Sequence, residues 1–190
     1  FSGSSVPPVL NSASIYNILD IYGSSEWQAG MTVKAVYMYY RNSNSPKTIK
    51  SNGVEITDND SVYFEEESSV SLLDDFVIQG ALTHTAGTFN TNNHKVSVQS
   101  YSGNAGGTAR TLNLGSSDIY VTGVMYEGNF SANSSALTLN AGTSTIYFTG
   151  LGYPELQPYA GQHYYNVSFE AAYNAVFGGT QSAKVYYNRV

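Results

Sequence analysis

The chain has 190 residues, 42% of them apolar and only 12% charged, and its 14 acidic and 8 basic residues leave a net charge of −6. With no cluster of Lys or Arg, that balance excludes the basic footprint that nucleic acid or an anionic membrane requires, so neither is expected as a partner. Cysteine is absent, which excludes a disulfide framework and a thiolate metal site, and no apolar run reaches the roughly 18 residues of a bilayer span.

The aromatic content is skewed toward Tyr, with 17 Tyr against 8 Phe and one Trp, and 18 Gly punctuate short runs rich in Val, Ile and Thr. Those residues suit a pleated, half-buried surface, and the reading is all-β. The chain opens on Phe1 with no Met, which reads as a mature product or an excised piece.

In chain order, the stretch from Tyr22 to Ser69 is the least regular; Trp27 and Tyr37 to Tyr40 fit no repeating pattern in it. Strand signals begin with Val54-x-Ile56 and Val62-x-Phe64 around an Asx-rich turn. They continue through Val70-x-Leu72, Phe76-x-Ile78, Leu82, Gly87-Thr88-Phe89 and Val96-x-Val98. Each run alternates apolar with polar residues, so one side of each strand is buried. The turns between are rich in Gly, Asn, Asp and Ser.

From Leu112 to Gly150 the same pattern occurs twice: L-x-L, a turn, then G-[ST]-S-x-I-Y-[VF]-T-G. Leu112-Asn113-Leu114 aligns with Leu137-Thr138-Leu139 at an offset of 137 − 112 = 25, and after an extra Asn140-Ala141, Gly115 aligns with Gly142 at 142 − 115 = 27. Repeats at such a period mark stacked architectures. A closed sandwich would make each hairpin different, whereas a solenoid gives every rung the same neighbours. The expected fold is therefore a parallel β-helix (β-solenoid) with rungs of about 25 residues, with β-sandwich domains as the alternative. A longer repeat links Phe1-Ser2-Gly3 to Phe148-Thr149-Gly150, Tyr16-Asn17-Ile18 to Tyr165-Asn166-Val167, and Val36-Tyr37 to Val185-Tyr186. It suggests one repeat-built domain over 1–190 that is a segment of a longer array.

From Val70 to Val190 the chain resembles a repeat type of very long secreted or cell-surface bacterial proteins. The residues that carry the likeness are Phe76-x-Ile78-x-Gly80-x-Leu82, Ala86-Gly87-Thr88-Phe89, Thr111 to Ser117, Leu137 to Ser144 and Tyr165-Asn166-Val167. The resemblance implies the setting of an adhesin, fibre stalk or phage-tail component, with location outside the cell or on its surface. It implies neighbouring repeats or further copies as partners, with surface glycans a further candidate.

Candidate chemistry is sparse. Asp74-Asp75 and Glu65-Glu66-Glu67 are the acidic clusters. Neighbouring residues on a strand point to opposite faces, so neither cluster presents two carboxylates to one substrate. No residue is assigned a catalytic role. Asp58, Asn59 and Asp60 put oxygen ligands in one turn and suit calcium, although the full calcium-loop pattern is missing and a plain Asx turn is the alternative. No other cofactor is expected. Trp27, Tyr37, Tyr39 and Tyr40 are the candidate sugar platform, since each ring has an apolar face and a polar tip; packing in the ladders is the competing role. Asn129, Asn133 and Asn166 stand in N-x-S patterns for N-linked glycans, and Ser61 follows Asp60 in a short motif resembling an O-glycan acceptor. The function expected is structural and adhesive: a spacer, adhesion or fibre repeat without catalysis. A carbohydrate-binding module is the alternative, and a catalytic β-helix acting on polysaccharide is third.

Overall fold

The computed structural model describes residues 15–31, 33–41, 45–57, 61–65, 69–103, 107–124, 127–170 and 176–177. Asp58, Asn59, Asp60, Glu66, Glu67, Phe1 to Gly3, Val185 and Tyr186 lie outside this set. Every regular element in it is a strand. The first seven are β1 (Ile15–Ile21), β2 (Ser25–Glu26), β3 (Val33–Tyr40), β4 (Lys47–Lys50), β5 (Glu55–Thr57), β6 (Ser61–Phe64) and β7 (Ser69–Leu72). Then come β8 (Phe76–Ile78), β9 (Ala81–His84), β10 (Gly87–Asn90), β11 (Val96–Val98), β12 (Ser100–Ser102), β13 (Arg110–Asn113) and β14 (Asp118–Val121). The last six are β15 (Asn129–Ser131), β16 (Leu137–Asn140), β17 (Thr145–Phe148), β18 (Glu155–Gln157), β19 (Asn166–Phe169) and β20 (Val176–Phe177).

Each strand pairs in parallel with the strand about one rung away, and the result is a three-sided β-solenoid of about six turns. A sandwich would need antiparallel hairpins, and every pairing between these strands is parallel. The first face stacks β2, β4, β7, β10, β13 and β16. The second runs β3, β5, β8, β11, β14, β17 and β19, and the third runs β3, β6, β9, β12, β15, β18 and β20. β3 serves both because its Val33 and Lys34 pair with β5 while Tyr37 to Tyr40 pair with β6. Its inward alternation skips at Val36 and Tyr37, so it takes the corner without leaving the strand. β1 lies along β3.

Rung length varies from 19 residues, Leu82 to Tyr101, to 29, Tyr101 to Phe130. The surplus sits in corner loops, because strand alternation on a buried face leaves no room for an extra residue within a strand. Inward residues form continuous columns: Phe76, Val96, Ile119, Ile146 and Val167 on the second face, and Val62, Leu82, Tyr101, Phe130 and Leu156 on the third. On the first face the column is Lys47, Val70, Phe89, Leu112 and Leu139. Most of these side chains belong to one buried core. Lys47 is buried with them, its Nζ donating to the carbonyl of Arg41 at 3.4 Å.

The doubled pattern marks true rungs, but its register differs from the one read off the leucines. Leu112 pairs with Leu139 and Asn113 with Asn140, so the offset is 27 throughout and Asn140-Ala141 is no insertion. A slip of two residues keeps every side chain on its own side, so the apolar pattern cannot tell the two registers apart. The amides can. Asn113 Nδ2 donates to Asn90 Oδ1 at 2.5 Å, and Asn140 Nδ2 donates to Asn113 Oδ1 at 2.7 Å. The following turn agrees: Gly115 and Gly142 have φ of 57° and 59°, and Thr143 N donates to Gly115 O at 2.7 Å. A Cβ at Gly142 would overlap that same carbonyl oxygen, so both the left-handed backbone and the close stacking require glycine there.

Candidate functional site

The corner between the first and second faces shows how rungs are joined. Asp74 accepts hydrogen bonds from the backbone N–H of Ser51 and of Asn52, both at 2.6 Å, and Asp75 Oδ1 accepts from Lys95 N at 2.9 Å. Asn52 and Asn92, both left-handed, donate their side-chain amides to Trp27 O at 2.6 Å and Leu72 O at 2.8 Å. Inside the corner, Ser117 Oγ donates to Thr91 Oγ1 at 2.7 Å, and Thr91 Oγ1 donates to Leu114 O at 2.9 Å. The Asp74-Asp75 pair is thus committed to backbone donors of neighbouring rungs.

A second polar group fills the corner between the third and first faces. His84 is fully buried, with Nδ1 3.2 Å from Tyr101 Oη and Nε2 3.3 Å from Gly87 O. Burial pushes its imidazole down to about 4, against weaker upward pulls from the backbone. Arg110 is buried beside it, donating from Nε at 2.8 Å and from Nη2 at 2.6 Å to Gly103 O, and from Nη1 to Thr108 O at 2.8 Å. Burial lowers its affinity for a proton. Gln162 repeats the role farther along, its Nε2 donating to Ala132 O at 2.9 Å while its Oε1 accepts from Tyr159 N and Tyr164 Oη at 3.0 Å. Arg110 and Gln162 thereby serve the carbonyls of the longer corner loops, Gly103 O and Thr108 O in one and Ala132 O in the other, as buried polar groups require.

The outer surface carries two aromatic ladders. On the third face, Tyr39 stacks on Tyr63 at 4.7 Å and 14°, Tyr37 lies 6.4 Å from Tyr63, and the Arg41 guanidinium sits over the Tyr39 ring at 4.4 Å. Arg41 also pairs with Asp20 and, at 3.6 Å, with Glu65. On the second face Tyr120 stacks on Tyr147 at 4.9 Å, with Lys95 Nζ 5.4 Å from the Tyr120 ring centre. No family model, curated protein or solved structure matches the chain. The reading of the site therefore rests on this geometry.

The structure divides the four rings expected as one platform. Tyr37 and Tyr39 face outward and half exposed, whereas Trp27, 3% exposed, and Tyr40, fully buried, point into the core. That corrects the expected cluster, and the cause is alternation: neighbouring Tyr39 and Tyr40 must face opposite ways. Tyr40 Oη shares a hydrogen bond of 2.8 Å with Ser25 Oγ, and Trp27 Nε1 has no partner among the described residues. Tyr63 and Arg41 join Tyr37 and Tyr39 instead. Tyr63 was legible in principle, since it stands between inward Val62 and Phe64 one rung after Tyr39. Of the other candidates, Ser61 is outward at the start of β6, Asn129 opens β15, Asn133 lies in the following loop, and Asn166 Nδ2 donates to Thr145 Oγ1 at 3.3 Å. No group of three His, Asp or Glu able to hold a metal occurs among the described residues.

Proposed function

We propose that the chain is a structural and adhesive repeat module, without chemistry of its own, working outside the cell or on its surface and flanked by similar rungs. The observation that carries this reading is the unbroken parallel pairing of all three faces, reinforced by side-chain ladders at the corners. Such stacking makes each rung the template of the next, which suits a spacer or fibre segment of the bacterial type the sequence resembles. The commitment of Asp74 and Asp75 to backbone amides supports it over a catalytic β-helix.

The outward group of Tyr37, Tyr39, Tyr63 and Arg41 favours a second reading, recognition of surface glycans. Equilibrium binding to a panel of soluble and insoluble glycans, with calcium and with a chelator, separates the two. The spacer reading expects no saturable binding in either condition. Saturable binding to one glycan class, lost in Tyr39→Ala and Tyr63→Ala, replaces it with the recognition module.

A further inference from the structure

On the first face the ion pair of Lys50 and Glu26 marks the outer side of β4 and β2, whereas the last four strands turn only uncharged polar residues outward. β7, β10, β13 and β16 each turn two residues outward, and these are Ser69 and Ser71, Thr88 and Asn90, Thr111 and Asn113, Thr138 and Asn140. They stand in two columns in perfect register: Ser69 under Thr88, Thr111 and Thr138, and Ser71 under Asn90, Asn113 and Asn140. Strand pairing spaces the rows at about 4.8 Å and the pleat spaces the columns at about 6.7 Å, so eight side chains form a flat rectangular lattice. None is charged and none is aromatic. The second and third faces instead mix Glu55, Val77, Tyr120, Tyr147, Tyr39 and Tyr63 at the corresponding outward positions.

The two columns are bonded differently. The amide column bonds to itself, Asn140 to Asn113 to Asn90 to Ser71 Oγ, and is fixed in place. The hydroxyls of Thr88, Thr111 and Thr138 have no partner among the described residues, and the branched Cβ restricts their rotamers. A rigid column of open hydroxyls thus runs beside a rigid column of amides.

We infer that this face binds crystalline ice. A rigid, uncharged lattice of donors and acceptors has little rotamer freedom left to lose, which is the condition for holding a rigid surface. Ice presents rows of oxygen atoms on the same scale as these columns, and it offers each threonine hydroxyl a partner. Charged groups, which hold their own hydration shells, are missing from these eight positions. A glycan would find no ring to stack on here. A second copy laid on this face would bury the threonine hydroxyls, and each one left unpaired costs about 1–3 kcal/mol. Ordered water satisfies all of them.

The inference goes beyond the structural role and does not depend on it. The test is growth of single ice crystals in solutions of the whole chain, reading crystal shape and the gap between melting and growth temperatures. The expected result is faceted crystals and an open gap for the parent, both abolished by Thr111→Lys at the centre of the lattice. Thr83→Lys, on the outward side of β9, keeps both, and circular dichroism shows all three proteins folded. Round, unshaped discs with no gap for the folded parent overturn the inference, as does undiminished shaping by Thr111→Lys. A self-association lost in Thr111→Lys without ice activity in the parent also overturns it and assigns the face to a second copy.

Discussion

His84 replaces the aromatic ring that the two preceding rungs place at its corner, Tyr40 and then Phe64. Its ring nitrogens meet Tyr101 Oη and Gly87 O. The buried, neutral imidazole couples stability to acidity. Its proton affinity falls from the ordinary 6.5 to about 4 on folding, so between those values the unfolded chain binds a proton that the folded chain refuses. Stability contributed by the neutral ring is fully present above 6.5 and is lost as pH falls toward about 4, with a total of about 3 kcal/mol. Urea unfolding at pH 7 and at pH 5.2, above most carboxylate titration, is expected to show about half of that loss. His84→Phe keeps the ring and removes the titration, so its stability is expected to stay flat over the same interval. An equal loss in both proteins would assign the effect to other groups.

Among elements, the asparagine column decides what the leucines leave open. Asn113 both donates to Asn90 and accepts from Asn140, and at about 0.5–1.5 kcal/mol per bond Asn113→Ala is expected to cost about 1–3 kcal/mol in thermal or urea unfolding. Thr83→Ala, an outward substitution outside that column, is expected to stay within about 0.5 kcal/mol. The alternation of each strand and the repetition of the rungs were legible in the sequence, because burial on one side imposes a period of two and stacking imposes a period of one rung. The register was not, because the choice between pairing Leu112 with Leu137 or with Leu139 rests on a polar contact rather than on apolar pattern. The inward turn of Tyr40 was hidden by the phase skip at Val36 and Tyr37, which breaks the alternation where the strand rounds a corner. Arg110 and Gln162 look like ordinary loop-edge polar residues in the sequence. Only the folded corners show them serving the carbonyls of Gly103 and Ala132.

For the molecule as a whole, each rung touches mainly the rung before and the rung after, so stability adds up along one axis. Rungs in the middle have two neighbours to hold them. Hydrogen exchange is expected to be slowest in β10, β11 and β12 and to quicken toward β2 at one end and β19 at the other, a gradient that peptide-level mass spectrometry resolves. Uniform protection from end to end would show a single cooperative block instead. The asparagine column has a last consequence, which concerns ageing. Asparagine loses its amide when the backbone nitrogen of the next residue attacks the side-chain carbonyl carbon. Beside Asn90 and Asn113 those nitrogens belong to Thr91 and Leu114, and they are held in hydrogen bonds to Asn113 O and Asn140 O at 3.0 Å. The attacking atoms are thus pinned in the backbone ladder, and the side chains they would attack are bonded to one another. The stacking that sets the register also slows the chemical clock of the residues that set it.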